Sequence, residues 1–175
     1  MHRIDTADLT LEPQLATHAE LMFAVLSDPA IYEYENAPPT SVEWLRERYA
    51  RLETRRSADA QEQWLNWVVR YRSGSGVLMG YVQATIRSDG SAFIAYEFAS
   101  AHWGQGLASQ AVTAMIAELA LHYQTRELWA LLKRENLRST RLLERLGFAV
   151  ASIEQRLSHA AATDETLMHR IVSNP

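Results

Sequence analysis

The run from Ile94 to Val112, Ile-Ala-Tyr-Glu-Phe-Ala-Ser-Ala-His-Trp-Gly-Gln-Gly-Leu-Ala-Ser-Gln-Ala-Val, limits the fold more than any other part of the sequence. A strand over 92–99 enters a loop holding Gly104 and Gly106. A helix over 104–122 begins at once, with Ala108, Ala111, Val112, Met115, Ile116 and Leu119 at spacings of three and four. A helix start exposes unpaired backbone N–H groups, with the positive end of the helix dipole behind them, and so suits a phosphate. Glycines at 104 and 106 permit the turn and let an anion approach with no Cβ in the way. Ala108 is small where the helix must sit close to the sheet. The same two glycines would also serve a plain turn. No Gly-Lys-Ser/Thr follows, so this is not a P-loop, and Ser109 stands where a dinucleotide fingerprint needs its third glycine.

The elements around this junction read in order. Residues 7–11 alternate as a first strand that Pro13 closes. Thr17-His-Ala-Glu20 spells a capping box ahead of a helix carrying Leu21, Met22, Val25 and Leu26, and Ser27-Asp28-Pro29 ends it. Thr40 and Glu43 spell a second capping box, with Trp44, Leu45, Tyr49 and Leu52 as the apolar stripe. The period then changes to two. Strands over 64–72, 77–86 and 92–99, separated by Ser73-Gly-Ser-Gly76 and Ser88-Asp89-Gly90, form an antiparallel meander. Beyond the central helix come a buried strand over 128–132 and a helix over 136–146. Gly147 suits the left-handed position after that helix, with Phe148 folding back on Leu143. Closing strands over 148–155 and 166–171 complete a mixed α/β fold. Its sheet is mostly antiparallel, of about seven strands, with helices on both faces.

Composition removes several functions. A chain of 175 residues suits one core, and a single domain over 1–175 is expected. A formal net charge of -4 leaves no basic excess for phosphates, so no nucleic-acid partner is expected. The basic residues that do crowd together, Lys133, Arg134, Arg138, Arg141 and Arg145, read as a solvated helix face. Cysteine is absent, which excludes disulfides, thiolate metal sites and cysteine nucleophiles. His18, His122, His159 and His169 share no metal-ligand spacing, so no metal is expected. No run nears the roughly 20 apolar residues that span a bilayer, and the opening Met1-His2-Arg3-Ile4-Asp5 lacks a signal's apolar stretch. The expectation is a cytoplasmic protein with no membrane partner.

A second segment, Leu128-Trp-Ala-Leu-Leu-Lys-Arg-Glu-Asn-Leu-Arg-Ser-Thr-Arg-Leu-Leu-Glu-Arg-Leu-Gly-Phe148, gives the first its meaning. Together they resemble the GCN5-related N-acetyltransferase (GNAT) family. Trp103-Gly104-Gln105-Gly106-Leu107-Ala108 resembles its Gln/Arg-x-x-Gly-x-Gly/Ala pyrophosphate motif. Asn136-x-x-Ser139 with Leu146-Gly147-Phe148 resembles its downstream Asn-x-x-Ser/Ala…Leu-Gly-Phe motif, and a helix plus a strand separates the two. Leu9-Thr-Leu-Glu-Pro13 and Ser27-Asp28-Pro29 extend the likeness to the front of the chain. Trp103 and Ser139 are similar to the branch of ribosomal-protein N-terminal-amine acetyltransferases.

The resemblance implies an acetyl-CoA-dependent transferase that moves an acetyl group onto an amine. The backbone of Phe98 would pair with the pantetheine arm like an added strand. Backbone N–H groups of Gly104, Gln105, Gly106, Leu107, Ala108 and Ser109 would hold the pyrophosphate. Asn136 would bond the pantetheine amide, although it also suits the N-cap of its own helix. An ammonium must lose a proton before attacking the thioester, and the departing thiolate takes one up. The oxyanion needs a fixed donor, expected from a backbone N–H near Phe98. Many members use a tyrosine as the thiolate's acid four residues after the position of Ser139. Leu143 stands there, which leaves Ser139 as the substitute. Glu97 is the candidate base, with Glu62, Glu33, Glu35 or a water chain as competitors. On a regular strand Glu97 faces opposite to Tyr96 and Phe98, so one face of the strand is expected to be the site. His102 reads as a loop histidine.

Three matters stay open at this level. A non-catalytic acyl-CoA-binding module is the alternative to an enzyme, and a longer acyl group is an alternative to acetyl. The acceptor is a peptide N-terminus, a polyamine or an aminoglycoside. The loop Tyr32-Glu-Tyr-Glu-Asn36 suits such a cation through its carboxylates and rings. A homodimer is compatible with everything above.

Overall fold

A computed structural model of the chain describes residues 1–34, 37–74 and 76–172. Its frame is one eight-stranded sheet in the order β1-β2-β3-β4-β5-β6-β8-β7. The strands are β1 (Ile4–Asp5), β2 (Leu9–Pro13), β3 (Glu62–Tyr71), β4 (Leu78–Arg87), β5 (Ser91–Phe98), β6 (Glu127–Lys133), β7 (Ala149–Val150) and β8 (Glu165–Ile171). The helices are α1 (Ala19–Leu26), α2 (Val42–Leu52), α3 (Leu107–Tyr123), α4 (Leu137–Arg145) and α5 (Ile153–Ser158). Only β5 and β6 run parallel, because the long crossover through α3 separates them; every other pair is antiparallel.

Alternation along β3, β4 and β5 assigns the two faces. Leu65, Trp67, Val69, Val82, Ala84, Ile94 and Phe98 are buried on one face with Val112, Met115 and Leu119 of α3. Val68 and Leu78 are buried on the other with Met22 and Val25 of α1 and Leu45 and Tyr49 of α2. Burying side chains of this size is worth about 1.5–3 kcal/mol each, and this holds the helices to the sheet.

The meander appears as expected, as does the end of α4. Gly147 takes φ +80°, its N–H bonds the Glu144 carbonyl at 2.9 Å, and the Phe148 N–H bonds the Leu143 carbonyl at 3.0 Å. Leu143 and Phe148 then bury in the same cluster, the contact that fixes this ending.

Four expectations are corrected. Thr17 and Glu20 make no capping box: residues 16–18 form a 3₁₀ turn in which the His18 Nδ1 accepts the Leu15 N–H at 3.0 Å. The second helix is capped by Ser41 rather than Thr40, through the Trp44 N–H at 3.1 Å. The central helix starts at Leu107, since Gly104 and Gly106 are spent on the turn. Residues 148–155 are not one strand. Ser152 and Gln155 cap each other's backbone and start α5, and this leaves β7 only two residues.

β4 approaches β5 unusually closely at its start. The register slips by one between Val69 and Arg70, and Gly80 stands opposite Phe98. A Cβ on Gly80 would overlap the Glu97 carbonyl oxygen and lie 2.8 Å from the Phe98 ring. The absent side chain lets the end of β5 sit where it does, and that end carries the residues of the cleft.

Candidate active site

β5 and β6 part company. They are paired only from Ser91–Phe93 to Glu127–Trp129, so the later halves of both strands face a gap. A cleft of about 450 Å³ opens there, lined by Ile94 to Phe98 on one side and Ala130 to Leu132 on the other. The size is that of a small-molecule site. The start of α3 (Trp103, Ala108) and the start of α4 (Asn136, Arg138, Ser139) close one end. Tyr32, Tyr34, Trp44 and Tyr49, from α2 and the loop before it, close the other. Because the cleft passes between parted strands, both faces of β5 line it. The expectation that one face alone would serve is corrected for this reason.

The glycine turn has the form expected of an anion site. Gly104 and Gly106 adopt φ +74° and +78°, and a Cβ at either would meet open space rather than protein. Gly106 caps the helix without a side chain, so the first N–H groups of α3 point outward from the turn. The Gln105 amide bonds back to the Ala101 carbonyl at 2.9 Å and braces the loop. The Trp103 indole N–H donates to the Phe98 carbonyl at 2.8 Å. A carbonyl accepts two bonds, so one acceptor position at Phe98 is already engaged. Arg138 lies over the Trp103 ring at 3.6 Å. Arg138 is exposed, as the reading of a solvated helix face expected, but its stacking on Trp103 was not foreseen. The cation–π contact sets a cation beside the glycine turn, since Trp103 is next to Gly104 in the chain. The neighbours of Arg138 in the sequence, Asn136 and Ser139, were the available signal.

Asn136 caps α4, with its Oδ1 accepting the Ser139 N–H at 3.0 Å. The cap orients the first turn of α4 toward the gap. Leu143, where many relatives carry a tyrosine, is buried in the core. Across from it stands a residue that sequence reading passed over. The Tyr96 hydroxyl reaches Ser139, 3.5 Å from its carbonyl oxygen. Burial pushes the Tyr96 phenol up to about 12, against a hydrogen bond to Ser139 and the charge of Arg145 that pull it down. The phenol keeps its proton at neutral pH and donates it in a hydrogen bond to the Ser139 carbonyl, so its role is to hold the first turn of α4 against β5. Alternation put Tyr96 on the face opposite Glu97 without saying which face was the site, and it could not show a contact with a residue 43 positions away.

Glu97 projects to the opposite face. It stands across from Tyr81 in the β4–β5 ladder and is hydrogen-bonded to that phenol. Burial first, and then the Glu97 charge, raise the phenols of Tyr32 (to about 12) and Tyr81, and Tyr49 rises chiefly through burial. Among the described residues lining the cleft, Glu97 is the one carboxylate. Glu62 lies at the far end of β3, accepting the Trp64 indole N–H, and Glu33 is exposed outside the lining. Glu35 and Asn36 fall outside the described residues. His102 is a loop residue whose ring packs on Tyr71. Asp28 does more than end α1. It accepts the Ser100 N–H at 2.6 Å and the Ala30 N–H at 3.0 Å, and the Ser100 bonds hold its carboxyl below the usual range. The loop after α1 is thereby tied to the end of β5.

Two expected effects test the donor side of this arrangement. Ser139→Ala should lower kcat by about 10- to 1000-fold with little change in cofactor KM, the pattern of a proton-transfer loss. Tyr96→Phe should act on the same step. If Tyr96 acts by holding the Ser139 backbone in place, the double variant should lose little more than Ser139→Ala alone. An unchanged kcat in both single variants returns the pair to a packing role.

Comparison with known proteins agrees with this geometry. A family profile described as an acetyltransferase (GNAT) domain matches residues 8–149. The search of curated proteins returned no match. Among solved structures, the chain is similar to RimL, a ribosomal L7/L12 alpha-N-protein acetyltransferase solved with coenzyme A. The TM-score is 0.83 at 16% identity, over 99% of this chain and 100% of that one. It is similar to a GNAT-family acetyltransferase from Bordetella pertussis, with TM-score 0.74 and 26% identity over 97% and 99%. It is also similar to the microcin C7 self-immunity acetyltransferase MccE, solved with acetyl-CoA and AMP. There the TM-score is 0.75 at 15% identity, over 95% and 94%. With the parted strands, the glycine turn and a profile match from residue 8 to residue 149, the chain belongs to the GNAT family of N-acetyltransferases.

Proposed function

We propose that this chain, as one domain, moves the acetyl group of acetyl-CoA onto a primary amine by direct attack of the amine on the thioester. The observation that carries the reading is the gap between β5 and β6, lined by Glu97 and by Trp103 and Ala108 on either side of the glycine turn. The pantetheine arm lies in that gap along Phe98. The pyrophosphate rests on the backbone of Gly104 to Ser109, with Arg138 supplying charge. The amine enters from the side of Tyr32 and Tyr49, and Glu97 takes its proton. A backbone N–H at the end of β5 holds the oxyanion. Ser139, its backbone carbonyl held by Tyr96, returns a proton to the thiolate.

The same end of the cleft argues for the acceptor. A carboxylate ringed by phenols suits an ammonium group. Gln14 and Tyr49 also line the cleft, and behind its wall the Tyr49 hydroxyl and the Gln14 amide nitrogen are buried with no hydrogen-bond partner. Such donors call for an oxygen on the substrate. A peptide N-terminus carries a carbonyl beside its amine and is the first choice. An aminoglycoside, with hydroxyls, is second. A polyamine has no oxygen to offer.

An acceptor panel with acetyl-CoA, read as free-thiol release, tests this. Turnover should be highest with short peptides bearing a free N-terminus, and their KM should rise with salt while acetyl-CoA KM stays constant. Efficient turnover of a polyamine, or of an anionic acceptor indifferent to salt, would overturn the choice of acceptor. Absence of acetyl-CoA binding would overturn the enzyme reading itself.

A further inference from the structure

We propose that His2, Glu118 and His122, toward the C-terminal end of α3 and outside the cleft lining, form a binding site for a divalent transition-metal ion of the zinc type. The His2 Nδ1 lies 2.8 Å from one Glu118 oxygen, and the His122 Nε2 lies 3.5 Å from the other. All the ligand atoms fall within 4.8 Å of one another. Zinc binds such atoms at about 2.0–2.1 Å, so a tetrahedral site separates them by roughly 3.3 Å. The observed distances bracket that value, and small side-chain rotations admit the ion.

The shape is that of a half-open site. The Glu118 side chain is 7% exposed, while those of His2 and His122 are 61% and 43% exposed. A carboxylate therefore forms the floor, two imidazoles form the walls, and the mouth faces water. Glu118 and His122 share a helix face through their i, i+4 spacing. His2 is fixed from the other side, because the Trp67 indole N–H donates to its carbonyl at 2.8 Å. Beside Met115, Ile116 and Leu119 in the core, a carboxylate is an expensive residue to bury unless its charge is answered. His2 answers it with one hydrogen bond at 2.8 Å, whereas a dication would answer it with two charges at once. Two nitrogens and a carboxylate favour zinc, copper or nickel over magnesium or calcium, which prefer all-oxygen shells. The histidine spacing along the chain conceals the site, since its two halves lie 116 residues apart. The bound ion would clip the start of the chain to α3, the helix that presents the glycine turn.

The test uses untagged protein freed of metal by a chelator and titrated with zinc chloride. One equivalent should bind, and the melting temperature should rise with zinc but not with magnesium. His2→Ala and His122→Ala should each weaken binding by about 10-fold or more, in the range that loss of a ligand brings. Both residues are partly exposed, so acetyl transfer by these variants should match the parent and certify the fold. Unchanged melting in zinc, or the same zinc response in the His2→Ala/His122→Ala double variant, would overturn the site.

Discussion

Gly106→Val should cost the protein its acetyl-CoA binding, by about 1000-fold or more, while leaving it folded. The reason is local. Gly106 sits at φ +78° with open space where its Cβ would be, at the point where the first N–H groups of α3 emerge. Two branched methyls placed there would occupy the pyrophosphate's volume and deny it several charge-assisted hydrogen bonds, each worth about 1.5–3 kcal/mol. Losing two or three of these approaches or exceeds the roughly 4 kcal/mol that 1000-fold represents. The left-handed backbone will also strain a β-branched residue by about 1–3 kcal/mol, so the melting temperature should fall modestly even without ligand. Calorimetric titration with acetyl-CoA, set beside circular dichroism of the free variant, separates the two effects. A folded Gly106→Val protein that binds acetyl-CoA as the parent does would remove the glycine turn from the site.

The glycine turn was legible because its chemistry is local: two glycines and a helix start lie within a few residues of one another. The same holds for the α4 ending, where Leu143, Gly147 and Phe148 close on themselves. Sequence reading failed where two local signals competed. Ser152 and Gln155 formed a capping box inside an apparently alternating run, and Ser41 outcompeted the adjacent Thr40. It also failed where meaning comes from partners far along the chain. Arg138 on Trp103, Tyr96 on Ser139, Glu97 among Tyr32, Tyr49 and Tyr81, and His2 on Glu118 all depend on the sheet order bringing distant segments together. The parting of β5 and β6 was expected at Phe98 from the family resemblance alone. It follows from how far a parallel pair runs before diverging, which no residue in either strand announces.

Glu97→Gln should lower kcat/KM at neutral pH by about 100- to 10,000-fold, the range of a lost general base. Glutamine keeps the size and the hydrogen bond to Tyr81 but holds no charge and takes no proton. The loss then combines a weaker pull on the ammonium with the missing proton transfer. These components part company as pH rises. An amine already deprotonated in solution needs neither, so the gap between variant and parent should narrow above the acceptor's own pKa. That point reports the acceptor class: about 8 for a peptide N-terminus and above 10 for an aliphatic amine of the lysine kind. The tyrosines around Glu97 do not confuse the profile, because burial and the Glu97 charge hold them protonated through this range. Rates for both proteins across pH 6.5–10, measured at saturating acetyl-CoA, give the comparison. A Gln variant whose rate matches the parent at neutral pH would strip Glu97 of its role as base. With a peptide N-terminus as acceptor, a deficit that stays constant to pH 10 would leave Glu97 positioning the cleft through Tyr81 rather than accepting the proton.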